Sequence, residues 1–170
     1  LAVCGGFLDA YTYICRGKVF ANAQTGNMVL LGLNLVQGQV AKAMTYVIPI
    51  VAFALGIVLT EIFRGKCGDS RLHWRQIVVL AEILVVAVAA FIPQGELDIM
   101  VSFVCAIQVQ TFRKMRGSAY ATTMCTGNLR SGTELLVHYF QKKDRELLKR
   151  GLAFYGIIIF FIVGAGLGAL

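Results

Sequence analysis

A single carboxylate, Asp9, stands within the otherwise apolar residues 1–15, and the tripeptide Thr-Gly-Asn occurs twice, as Thr25-Gly26-Asn27 and Thr126-Gly127-Asn128. An aspartate in hydrocarbon costs at least ~2.5 kcal/mol unless it is paired, solvated or protonated, so residues of this kind mark ion and solute paths. Asp9 lies about 12 Å of helix rise from the turn at Gly17, deep enough for that cost to apply. Thr and Asn suit helix N-caps, and Gly permits close approach or positive φ. A helix opening at such a tripeptide aims free N–H groups and its positive dipole end at whatever lies beyond it. The chemistry these residues suit is recognition of a small polar or anionic solute, with a proton held at Asp9, rather than bond making. Each group also has a structural alternative: a capped or protonated Asp bonded to a neighbouring helix, and tripeptides that only end and pack short helices.

The elements that must position these residues are duplicated. The first tripeptide follows Arg16-Gly17-Lys18-Val19-Phe20-Ala21, and the second follows Arg116-Gly117-Ser118-Ala119-Tyr120-Ala121. Six identities and one aromatic match fall in this short alignment. Each arises by chance roughly one time in fifteen at ordinary residue frequencies, so coincidence is a poor explanation. A period near a hundred residues is too long for a solenoid and fits the internal repeats of transporters and channels.

Composition places the chain in a membrane. Of 170 residues, 58% are hydrophobic and 15% charged. Residues 152–170 and 43–60 carry no charge, and each run is long enough for a hydrocarbon core of about 30 Å. Residues 77–95 form a third run, interrupted by Glu82, and residues 97–112 a shorter one containing Gln108, Gln110 and Thr111. A soluble domain of this size cannot bury so much apolar helix. The spacings Ala52, Gly56, Thr60 and Gly164, Gly168 read as helix-packing seams.

The formal charge of +7 follows topology rather than nucleic acid, for which no motif is present. Thirteen of sixteen Lys and Arg fall in four groups: residues 64–75, residues 113–116, Arg130, and residues 142–150. By the positive-inside rule these loops are cytoplasmic and touch anionic lipid heads, and the turn 94–97 is external. Residues 117–150 then begin and end inside, and residues 17–42 begin and end outside. Short helices at 28–36 and 129–140 are expected to dip in from opposite faces, which makes the repeat an inverted one with three spans per half.

The pattern Gly6-Phe7-Leu8-Asp9-Ala10, Phe20, Thr25-Gly26-Asn27, Gln108 and Ala121-Thr122-Thr123-Met124 before Thr126-Gly127-Asn128 resembles the YoaK-like family of bacterial inner-membrane proteins. The resemblance covers nearly the whole chain and implies a membrane topology and a bacterial source, without supplying a reaction. Where that pattern has Gly and Asn around the Gln, this chain has Ala106 and Val109.

The expected fold is all-α, a polytopic transmembrane bundle in one domain. Repeat one covers about 1–93 and repeat two about 97–170, with re-entrant or broken-helix tripeptide segments and a last helix missing. The expected solute-binding set is Asp9, Asn22, Thr25, Gly26, Asn27, Gln108, Thr123, Thr126, Gly127 and Asn128. The expected function is secondary transport of a small polar or anionic solute across the inner membrane. A channel, or a scaffold or sensor that transports nothing, is the alternative. Neither an enzyme nor a cofactor is expected: Cys4, Cys15, Cys67, Cys105 and Cys125 lack metal-ligand spacing, and His73 and His138 stand alone. Partners are the bilayer and the solute, with self-association left open.

Overall fold

A computed structural model describes residues 1–66, 76, 79–80, 83–84, 87, 103–108, 111, 114–115, 118–119 and 123–170. Five helices have defined bounds: α1 (Ala2–Cys15), α2 (Gln24–Val36), α3 (Val40–Lys66), α4 (Cys125–Lys142) and α5 (Arg145–Gly168). The described residues from 76 to 87 and from 103 to 111 are also helical. A hairpin of two short strands, β1 (Lys114–Met115) and β2 (Ser118–Ala119), is the departure from an all-helical chain. In the first half, Arg16-Gly17-Lys18 turns through left-handed φ values at Gly17 (82°) and Lys18 (64°).

The two longest uncharged runs become the two described helices long and apolar enough to cross a membrane, α3 and α5. α5 begins earlier than the apolar run implies, because Asp144 caps it by accepting the Glu146 N–H at 2.9 Å. Three of the basic residues expected in the preceding loop, Arg145, Lys149 and Arg150, therefore sit in its first turns. The short helices also begin four residues earlier than expected, at Gln24 and Cys125, so each tripeptide lies inside its first turn. Glu82, Gln110, Arg113 and the turn 94–97 lie outside the described residues.

Burial is reversed relative to a water-soluble bundle. Val51, Leu55 and Val58 on α3, with Ile159, Phe160 and Ile162 on α5, are about half exposed or more. Asp9, Thr12, Asn27, Thr60, Gln108 and Asn128 are buried. Water gives no reason to place branched aliphatics outside and amides inside, whereas lipid does, since every polar group must find its partner within the protein.

Two seams hold the bundle without side-chain cushions. On α1 and α5, a Cβ added at Gly6, Gly164 or Gly168 would fall on the backbone of Phe161, Val3 or Phe7. On α3, a Cβ at Gly56 would lie 2.7 Å from Ala106 Cβ and from the Phe103 carbonyl oxygen. These contacts stand at matching places in the sequence. Gly6 and Ala106 each precede the repeat arginine by ten residues, and Phe161 and Gly56 each lie sixteen beyond the start of their helix. α1 thus leans on α5 and the helical residues 103–108 on α3, while α2 packs on α3 and α4 on α5. In the latter pair Gly132 and Gly151 face Tyr155 and Leu136, and the Thr133 and Tyr155 hydroxyls meet at 2.7 Å.

Candidate functional site

Asp9 projects from the middle of α1 and is buried. Its Oδ1 accepts the backbone N–H of Asn22 at 2.6 Å and of Ala23 at 3.3 Å. Ala23 is the N-cap of α2, so a carboxylate fourteen residues upstream does what a capping side chain would do. This corrects the expectation that the tripeptide residues cap. The N-caps are Ala23 (φ −78°, ψ 66°) and Met124 (φ −98°, ψ 76°), which share one backbone conformation and carry no capping group.

Asn27 has another task. Its Oδ1 accepts the Phe20 N–H at 2.9 Å, and its Nδ2 donates to the Phe20 carbonyl at 2.8 Å and to Gln24 Oε1 at 2.9 Å. Gln24 in turn donates from Nε2 to the Ala21 carbonyl at 3.0 Å. The amide of Asn27 is therefore fully engaged in clamping the chain before α2, the signature of a structural asparagine. The clamp brings the Phe20 ring over Gly26, where an added Cβ would lie 2.8 Å from the ring. It also stacks Phe20 on Tyr13, with centroids 4.7 Å apart.

The opening of α4 is built differently. Asn128 is buried and its N–H reaches the Met124 carbonyl at 3.1 Å, as in an ordinary first turn. In α2 the Gln24 and Gly26 N–H groups close on Asn22 and Ala23 carbonyls, both at 2.8 Å. Among the described residues, the Cys125, Thr126 and Gly127 N–H groups donate to nothing, and nothing lies within 4 Å of a Cβ built at Gly127. The repeat position matching Asp9 is Val109, so the second copy lacks the carboxylate that serves α2.

Both openings border one cavity of about 660 Å³. Of the ten expected site residues, Asp9, Asn22, Thr25, Thr123, Thr126 and Gly127 line it. Gly26, Asn27, Gln108 and Asn128 do not. Gly26 is covered by Phe20 and Asn27 is turned into its clamp, while Gln108 is buried with neither amide atom bonded among the described residues. Asn27 and Asn128 therefore do not face a shared polar cavity. Its walls are largely apolar and include the rings of Tyr13, Phe20, Phe53 and Phe161, none of which sequence reasoning assigned to a site. The aromatic match of Phe20 with Tyr120 between the repeats was the one available signal. Two buried acceptors of lining residues, Asp9 Oδ2 and Asn22 Oδ1, have no hydrogen-bond partner among the described residues and almost no accessible surface of their own. At this volume the cavity suits a small organic solute.

Residues 1–170 match the family described as "Protein of unknown function (DUF1275)". The chain is 26% identical over 182 residues to "UPF0700 transmembrane protein YoaK" of Bacillus subtilis (strain 168), covering all of this chain and 80% of that relative. No solved structure matches the chain.

Proposed function

The chain belongs to the DUF1275 family, and on that premise we propose that it is a multi-pass protein of the bacterial inner membrane that carries a small polar solute through the cavity beside Asp9. Membrane residence is supported by the two span-length helices, by apolar side chains outside and amides inside, and by a relative named as a transmembrane protein. The observation that carries the transport reading is the convergence of both tripeptide-bearing helix starts and a buried carboxylate on one cavity. Secondary carriers place their sites between repeats, at the starts of broken helices.

An inverted repeat gives the cavity a way to face either side in turn. Its support is the exchange of partners between the halves, Gly6 against Phe161 and Ala106 against Gly56. Rocking one pair of seams against the other would alter access while the cavity wall stays assembled. Asp9 is the proton-holding group in this reading. Its Oδ1 anchors α2, and its Oδ2 is buried without a hydrogen-bond partner among the described residues, where a proton would sit.

Solute uptake by the full-length protein in proteoliposomes, with and without an imposed pH gradient, tests the proposal. A carrier accumulates solute only with the gradient, and Asp9→Asn abolishes accumulation while leaving downhill exchange. Equal downhill flux at every pH, untouched by Asp9→Asn, would replace the carrier with a channel. No flux of any solute would leave a scaffold.

A further inference from the structure

Helices α2 and α4 expose matching positions and show opposite chemistry at them. Thr126, Arg130, Glu134 and His138 follow one another at steps of four, so they lie along one side of α4, and all four are exposed. Counted from the tripeptide, the first three match Thr25, Val29 and Leu33 of α2, which are exposed as well. Where α2 shows aliphatic groups, α4 therefore shows a cation and an anion. Arg130 forms no ion pair among the described residues.

The depth of this line follows from the pairing of α4 with α5. Gly151, where the uncharged part of α5 begins, faces Leu136 and the Gly132 carbonyl, and Gly132 faces Phe154 and Tyr155. The first turn of α4 reaches the cavity that Phe161 also lines. Phe161 lies about 15 Å of helix rise beyond Gly151, half of a hydrocarbon core of about 30 Å. α4 thus runs from mid-bilayer out to the side that carries Arg145, Lys149 and Arg150, and Arg130 stands about 8 Å inside the hydrocarbon boundary. Lipid suits Val29 and Leu33 on α2, and Ile159, Phe160 and Val163 on α5. It does not suit an exposed guanidinium at that depth, since charges within membranes face water or a partner charge.

We propose that the Arg130 side of α4 lines a water-filled passage from the cytoplasmic side to the cavity, while the matching side of α2 lies against lipid. The passage runs from His138 past Glu134 and Arg130 to Thr126 on the cavity wall. It gives the carrier proposed above its inner access route and rests on that reading for its purpose.

The test uses the full-length protein in sealed membrane vesicles of either orientation. The probe is a membrane-impermeant, sulfonate-bearing methanethiosulfonate, with labelled peptides identified by mass. Arg130→Cys is expected to react from the cytoplasmic side at least tenfold faster than Val29→Cys or Val163→Cys labelled from either side. In the unaltered chain Cys125, which lines the cavity, is expected to react from the cytoplasmic side, and Arg130→Trp to slow it at least fivefold. Cys125 is decisive by itself if Arg130→Cys does not fold. Arg130→Cys reacting no faster than Val29→Cys, or Cys125 reacting from the outer side alone, would overturn the passage and leave lipid or a second copy of the chain on that side of α4. Fast labelling with no uptake of any solute in proteoliposomes would remove the carrier and leave the water-filled passage. Solute uptake with Arg130→Cys and Cys125 unlabelled would do the reverse.

Discussion

The starts of α2 and α4 are copies of one another in sequence and opposites in structure. Both place Thr-Gly-Asn in the first turn after an N-cap of the same backbone conformation, and both bury the Asn. The α2 start is sealed: Asp9 takes the Asn22 and Ala23 N–H groups, Asn27 clamps Phe20, and Phe20 covers Gly26. At the α4 start, among the described residues, three N–H groups have no partner and nothing lies within 4 Å of a Cβ built at its glycine. The two starts share their tripeptide, but a carboxylate stands at position 9 and a valine at position 109, and the α2 start is held by that carboxylate. A residue type is thus a weak guide to role even within one chain. What decides is whether its polar groups are already engaged.

The comparison breaks most visibly at Asn27. Removing its amide by Asn27→Ala takes away the partner of the Phe20 N–H, the Phe20 carbonyl and Gln24 Oε1 in a half-buried setting, an expected loss of about 2 kcal/mol. Unfolding of the detergent-solubilised protein in increasing SDS would measure it. An unchanged midpoint would mean the clamp holds nothing.

Gly26→Val should follow, at about 2 kcal/mol, because the new side chain meets the Phe20 ring and must displace it. Thermal unfolding reads the loss, and Phe20→Ala in the same chain should relieve part of it. Asp9→Asn comes next, at about 1 kcal/mol, since a neutral oxygen still accepts from Asn22 and Ala23 but no longer with a charge. Faster hydrogen exchange at those two amides, with the rest of α2 unaltered, is the specific signature. Slowed or unchanged exchange would contradict the capping role.

The smallest effect sharpens the contrast instead of breaking it. Gly127→Ala meets no atom and adds helix propensity, so it should raise stability by about 0.5 kcal/mol, whereas Gly26→Ala should lower it. Opposite signs at matched positions would confirm that one start is packed and the other open. Equal signs would remove the distinction.

How much of this was legible in the sequence differs by level. The uncharged runs at 43–60 and 152–170 announced α3 and α5 because lipid selects length and apolarity, which are local properties. The small-residue spacing at Gly56 and at Gly164 and Gly168 announced close packing for a similar reason. The early starts of α2 and α4 were not legible. Ala23 and Met124 are poor caps by type, and the compensation for one comes from Asp9, across a turn. Six of the ten expected site residues reach the cavity wall. The tripeptide repeat drew attention to the right place, but Asn27 and Gly26 are withdrawn by contacts with Phe20 that no spacing encodes. The aromatic wall was missed because aromatic residues in an apolar chain look the same whether they face lipid, core or ligand.

The seam between α1 and α5 also bears on how the chain is made. α1 leaves the ribosome about 130 residues before α5, yet its backbone-on-backbone partners at Phe161, Gly164 and Gly168 all belong to α5. During synthesis the earlier helix therefore stands with one face unmatched until the later one is made. Asp9 is the residue most exposed to harm in that interval. Its anchors, the Asn22 and Ala23 N–H groups, are translated almost at once, so the carboxylate is sheltered locally long before its final neighbour arrives. A buried charge and a late-closing bundle are compatible here because the charge is handled by the nascent chain's own next turn.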